Sequence, residues 1–297
     1  MFDPRSPYQR RMWHYDSDHP LSVAQLIASS SLDARTAALL WLLVEKHQSL
    51  IVSGPTDPTP GIGKTTTLNA LLQFLPGGST LVYTAGMYED FSFKDQVTPE
   101  TTCVLANEVS DHLRIYMWGR VARSLLRMPE EGYAIATSCH ADTIDDVMNM
   151  LLSDLRLTTA DVRRLGVIVN IGLVGRVWPP KRRFLSVYFA DPDESVDDTA
   201  SAPPTRGAIA PRPNLLCLAS WDPATDTQVC ATDETLTRLA SALGMERAAF
   251  DEAMARREAV LTEQSQGKGS SPRVFRAAVE ALQTEESVSA QPDEDPA

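Results

Sequence analysis

Apolar positions along the chain follow two periods. Short runs rich in β-branched residues predict buried strands at Leu50-Ile51-Val52, Leu81-Val82-Tyr83, Thr101–Ala106, Tyr133–Thr137, Val167–Leu173 and Phe184–Phe189. Between them lie segments of helical spacing: Leu21–Ala28, Leu32–His47, a stretch carrying Leu68, Leu71, Leu72 and Leu75, then Asp111–Met128, Thr143–Leu155 and Ala160–Leu165. In the second of these, Leu39, Leu40, Leu42 and Leu43 make a broad apolar face. Strands alternating with helices predict an α/β fold, its mostly parallel sheet covered on both faces. Ligands of such sheets bind at the carboxyl ends of the strands.

Composition divides the chain further. Residues 1–20 are polar and aperiodic and read as an arm, followed by a core over 21–190. Residues 191–214, rich in Asp, Pro, Ser, Thr and Ala, read as a flexible linker. A small helical module follows at 215–283, with a hairpin around Trp221–Asp226 and helices near Asp233–Leu243, Glu246–Gln264 and Pro272–Leu282. The acidic end, 284–297, reads as disordered.

The most informative stretch is Ser49–Leu75, SLIVSGPTDPTPGIGKTTTLNALLQFL. An apolar strand feeds a Gly/Pro-rich turn, then Gly63-Lys64-Thr65, then a helix. That order is the context of a phosphate-binding loop, whose amides converge on an anion at the positive end of a helix. The spacing requires one adjustment. With Asp57-Pro58-Thr59-Pro60 read as an insertion, Gly54, Gly61, Gly63, Lys64 and Thr65 take the motif's positions, with Thr66 beside them. Two prolines bend the insertion outward as a stiff blister. Lys64 would reach the β- and γ-phosphates of ATP, and the Thr65 hydroxyl would hold Mg²⁺.

Other candidates gain meaning from this loop. Glu108 ends an apolar strand, a costly place for a carboxylate that serves no ligand. It would orient the attacking water or help place Mg²⁺. His140, within TSCHAD at another strand end, would contact the γ-phosphate; without the loop upstream it would read as structural. Glu89 and Asp90 would support a metal-bound water. Cys139 is set aside, because adjacent strand residues face opposite ways. Arg120, Arg123 and Arg127 share a helical face and read as a solvated basic stripe.

A net charge of −12 argues against broad nucleic-acid or anionic-membrane binding. No apolar run reaches the roughly 18 residues of a spanning helix, and the first twenty residues lack the apolar segment of a secretory signal. The four cysteines are scattered, as expected of reduced thiols in a cytoplasmic protein. No Asn-Lys-x-Asp guanine motif occurs, which tilts the base preference toward adenine.

These residues resemble the ATPases of the type II/type IV secretion superfamily, the archaeal-type branch above all, from His19 to about Leu282. HPLSVAQLIASSSLDARTAALLWLLVEKHQSLIVSG is similar to the family's lead-in helices and first strand, and GIGKTTTLNALLQFLP to its phosphate loop and helix. Tyr88–Asp90 looks like the acidic box, Asn107–Val109 like the Walker B segment, and TSCHADTIDDVM like the histidine box. WDPATDT and GMERAAFDEAMARREAVL look like its carboxyl-terminal region. The resemblance implies a RecA-like P-loop core, a hexameric ring turning over Mg·ATP, and a polytopic membrane platform protein as partner. It places the chain in the cytoplasm, at most peripheral at the inner face of the membrane.

The chain departs from the family at three points: the DPTP insertion, Phe91-Ser92-Phe93 and Ser110-Asp111 where arginines usually follow the acidic box and the Walker B glutamate, and an arm in place of the amino-terminal domain. Two functions follow. One is an ATP-hydrolysing motor subunit; the other is a degenerate nucleotide-binding partner that assembles with a complete paralogue. A small-molecule kinase is a third, weaker reading.

Overall fold

The computed structural model describes residues 20–55, 61–175, 180–192 and 211–289. The expected amino-terminal arm, the Asp57–Pro60 insertion and most of the 191–214 linker lie outside the described residues. Helix α1 (Val23–Ala28) starts at Ser22, whose hydroxyl and the Gln25 side chain close a capping box. Asp33 caps α2 (Ala34–Glu45) by accepting from the Thr36 amide at 2.7 Å.

Strands β1 (Leu50–Gly54), β2 (Thr80–Tyr83), β3 (Thr102–Val109), β4 (Ala134–His140), β5 (Val167–Val174), β6 (Lys181–Ala190), β7 (Leu215–Asp222) and β8 (Thr227–Cys230) form one sheet in the order β2-β3-β4-β1-β5-β6-β7-β8. The first five of that order pair in parallel, and β6, β7 and β8 add on antiparallel. The fold is therefore α/β, with a mixed, mostly parallel sheet.

Side-chain alternation sends each strand's apolar residues to two separate cores. On one face Leu50, Val52, Leu105, Ala136 and Val169 pack with α2 and α3 (Lys64–Leu71). On the other, Ile51, Val104, Ala106, Ile135 and Ile168 meet α4 (Gly119–Leu126), α5 (Ile144–Asn149) and the turns that follow it. A short helix α6 (Thr159–Arg163) leads into β5.

Two expectations change. The helix expected from Asp111 begins only at Gly119, because the chain first turns back: Met117 bridges to Val109, and its amide donates to the Glu108 carbonyl at 3.1 Å. The residues set apart as a carboxyl-terminal module are built into the same body. Strands β7 and β8 extend the sheet, and helices α7 (Asp233–Ala242), α8 (Arg247–Gln264) and α9 (Pro272–Ser289) share the core of α2 and α3. Trp41 stacks on Phe74 at 5.1 Å, and Phe74 meets Phe275 edge-on at 5.8 Å. The side chain of Arg257 on α8 is 2% exposed and reaches Glu45 of α2 and Glu286 of α9, at 2.7 and 2.6 Å. Helix α9 continues through Ser289, into the start of the expected acidic tail.

Candidate functional site

The parallel strands end on one side of the sheet, and β3, β4 and β1 are neighbours there. Gly54 closes β1 and pairs with His140, the last residue of β4. A side chain at Gly54 does not fit: a Cβ would stand 2.3 Å from Ile62 Cδ1 and 2.5 Å from the Ile171 carbonyl oxygen. Gly63 adopts φ +99°, a left-handed conformation glycine takes without strain, and α3 starts at the next residue. Among the described residues nothing lies within 4 Å of a Cβ placed at Gly61.

Lys64 is thus the first residue of α3, and it is buried. Its ammonium donates to the carbonyls of Gly54 (3.4 Å) and Pro55 (3.3 Å) and lies 2.9 Å from His140 Nδ1. The other ring nitrogen of His140, Nε2, lies 2.7 Å from Glu108 Oε1. That oxygen also accepts from the Ser110 hydroxyl at 2.7 Å. A lysine can only donate, so Nδ1 is the acceptor and the proton of a neutral ring sits on Nε2, facing the carboxylate. Burial, together with the Lys64 charge, pulls His140 from its ordinary 6.5 down to about 4. Burial lowers Lys64 and raises Glu108, and each is partly held back by the other's charge.

Glu108 reaches this position through an irregularity in β3. Val104 and Ala106 face the second core, so an unbroken strand would turn Glu108 into it as well. Between Ala106 and Val109 the ladder with β4 gains a residue, opposite Thr137 to Cys139. Val109 then takes the core-facing position, and the carboxylate is left at the strand ends.

Thr65 and Thr66 follow in the first turn of α3, half-buried. Glu89 and Asp90 lie in the turn after β2 and bond to nearby backbone amides. Glu89 accepts from the amides of Ala85 and Phe91, both at 2.7 Å, and burial raises its carboxyl against those bonds. Exposed Asp90 caps the Ser92 amide at 3.0 Å. Among the described residues no hydrogen bond or ion pair joins either to Lys64, Glu108 or His140. Cys139 is buried in the second core. Of the arginine stripe, Arg127 pairs with Asp161 at 3.1 Å and Arg120 is exposed.

Several site residues carry no motif. Asn170 on β5 donates to Ser53 Oγ (2.9 Å) and the Asp142 carbonyl (3.1 Å), tying the ends of β1, β4 and β5 together. The His112 ring lies 4.6 Å from that of His140. Arg182 of β6 donates to the carbonyls of Ile62 and Gly61, each at 3.2 Å, and so pins the glycine turn from across the sheet. Only its basic triplet, Lys181-Arg182-Arg183, marks Arg182 in the sequence.

A buried ammonium at the start of a helix, a left-handed glycine and a strand end closed to any Cβ fit a polyphosphate chain. Thr65 and Glu108 are the groups suited to Mg²⁺, an ion that takes few protein ligands besides phosphate oxygens. Among the described residues no helix is long and apolar enough to cross a membrane. No family model matches the chain. Over 65 residues it is 42% identical to the uncharacterized protein MJ0900 of Methanocaldococcus jannaschii; the match takes in 22% of this chain and 11% of that protein, so the chain spans a small part of the relative's length.

Proposed function

We propose that the chain binds Mg·ATP through Gly54, Gly61, Gly63, Lys64, Thr65 and Thr66 and hydrolyses it as a RecA-like motor subunit of a type II/type IV secretion or pilus-like machine. The observation that carries this reading is the row Lys64–His140–Glu108, two contacts of 2.9 and 2.7 Å at the ends of adjacent parallel strands. Bound Mg·ATP supplies the scissile phosphoanhydride and the metal that neutralises its charge. Lys64 meets phosphate charge, and the α3 amides orient it. Glu108 engages Ser110 and His140 through Oε1, so its Oε2 is the oxygen to align an attacking water and take its proton. His140, neutral and donating from Nε2, keeps that carboxylate in place. The ring assembly and the membrane platform partner rest on the family resemblance alone.

A second reading has its own support. Both oxygens of Glu89 are held by loop amides, and a serine, not an arginine, flanks Glu108. An arginine that stabilises transition-state charge is worth roughly 10³–10⁵ in rate, so a subunit that binds ATP and turns it over only with a paralogue accommodates these contacts. The experiment is ATP binding and hydrolysis by the purified chain, with its mass in solution with and without nucleotide. Hydrolysis lost in both Lys64→Ala and Glu108→Gln supports the motor, and turnover unchanged in Lys64→Ala rejects it. Binding without turnover selects the second reading.

A further inference from the structure

Beside His140 the strand ends open into a cleft of about 710 Å³, walled by Ser110, His112, Trp118, Asp146 and Asn149. His140 lines it as well, yet its side chain is only 15% exposed, and that of Glu108 10%. The ring packed against His140 is that of His112, with centroids 4.6 Å apart and planes inclined by 37°. Lys64 and Glu108 take the two edge nitrogens of His140, at 2.9 and 2.7 Å. Among the described residues the aromatic contact on that imidazole comes from His112 alone.

His112 reaches this place because the chain turns back after β3. The Ser110 amide donates to the Met117 carbonyl and the Met117 amide to the Glu108 carbonyl, each at 3.1 Å. The Tyr116 amide donates to the Leu113 carbonyl at 3.0 Å, and the Met87 amide to that of Ile115 at 3.2 Å. The return is thus sewn to itself, to β3 and to the turn after β2. One short loop therefore touches both members of the His140–Glu108 contact: Ser110 bonds the carboxylate at 2.7 Å, and His112 covers the imidazole.

We propose that His112 is a positioning residue of the hydrolytic site, its ring holding that of His140 in the plane that joins Lys64 to Glu108; this rests on the hydrolytic reading above. The second side-chain torsion of a histidine is broad, so rotamer preference leaves the ring plane loosely set. Two edge bonds fix the line between Lys64 and Glu108 but resist tilting poorly. A neighbouring ring at 4.6 Å lies within the range of favourable aromatic pairing and supplies that resistance. It also stands between the imidazole and the water of the cleft. Glu108 aligns an attacking water through Oε2 only while Oε1 is held, so a tilted His140 loosens the reacting geometry without touching the phosphate loop.

The test uses His112→Ala and His112→Phe in the full chain. The side chain of His112 is 48% exposed, so both variants are expected to fold with thermal midpoints near that of the wild type. Two quantities are read: kcat and KM for Mg·ATP, and, without nucleotide, the rate at which the His140 Nε2 proton exchanges with water, followed by NMR. In His112→Ala kcat is expected to fall about two- to tenfold with KM unchanged, and the proton to exchange faster. His112→Phe, which keeps a ring but no nitrogen, restores both. Unchanged kcat and exchange in His112→Ala overturn the proposal. So does a phenylalanine variant that behaves like the alanine one, since an imidazole nitrogen and not the ring face would then be at work. A rise in KM with kcat unchanged makes His112 a binding residue and likewise overturns it. A wild-type chain that turns over no ATP defeats the hydrolytic reading and the catalytic role of His112 with it; proton exchange then distinguishes that failure from a His112 that never seated the ring.

Discussion

Lys64 and His140 touch, Nζ to Nδ1 at 2.9 Å, with the imidazole already turned toward Glu108. The ring is therefore a neutral bridge between a cation and an anion. Its pKa lies near 4, below the ordinary 6.5, so the unfolded chain binds the proton first as pH falls. Stability from the neutral ring is complete above about pH 6.5 and is lost as pH falls toward 4. Nitrogen-detected NMR is expected to show the Nε2–H tautomer down to about pH 4. In Lys64→Met the midpoint rises, because the lysine's charge is one cause of the depression.

Ser110→Ala removes the hydroxyl that holds Glu108 Oε1 while leaving Lys64 and the glycine turn in place. Turnover is expected to fall about tenfold, roughly 1.4 kcal/mol of barrier, with KM little changed. Ser110→Thr retains the hydroxyl and restores the rate. A rise in KM with kcat unchanged would mean that the serine serves binding instead.

The two glycines that bracket the loop differ. Gly54→Ala drives a methyl group against the Ile171 carbonyl, and overpacking of this kind costs about 1–3 kcal/mol. Gly61→Ala meets nothing within 4 Å among the described residues, and its stability is expected within about 0.5 kcal/mol of wild type. Thermal unfolding of both variants, paired with their nucleotide affinities, separates loop geometry from loop chemistry.

The strands and helices were legible because their periods are plain: Leu50-Ile51-Val52 feeds two cores by simple alternation. Lys64, Glu108 and His140 were legible as strand-end chemistry. The row they form was not, since it depends on the extra residue between Ala106 and Val109, a backbone event without its own composition. Asn170 and Arg182 were hidden for a related reason. Asn170 reaches Ser53, and Arg182 reaches Ile62, more than a hundred positions away in sequence, and the pairing exists only once β5 and β6 stand on the flank of β1. The helix expected from Asp111 failed because Met117 bonds back to β3, a tertiary contact that overrides local periodicity.

Arg257→Ala leaves Glu45 without its ion-pair partner and Glu286 with Arg256 alone, at 3.2 Å. Removing one member of such a buried group costs about 3–5 kcal/mol, read as a drop in the denaturation midpoint. Replacing all three with apolar residues is expected to recover most of the loss.

The thiols divide by burial. Cys103 and Cys139, both buried, are pushed up to about 12 and are expected to resist alkylation at pH 8 until the chain unfolds. Exposed Cys217 is expected to react first, followed by half-buried Cys230, which mass mapping of modified peptides resolves.

Helix α3 begins at Lys64, and the turn that prolongs it ends at Phe74. At that far end Arg276 of α9 grips the carbonyls of Gln73 and Leu75 at 2.6 Å, and Gln283 grips that of Phe74 at 3.0 Å. One rod therefore has a charged tip at the strand ends and a clasp at its base. Any axial slide or tilt of the tip must pull on α9, so the carboxyl-terminal helix is mechanically in gear with whatever Lys64 holds.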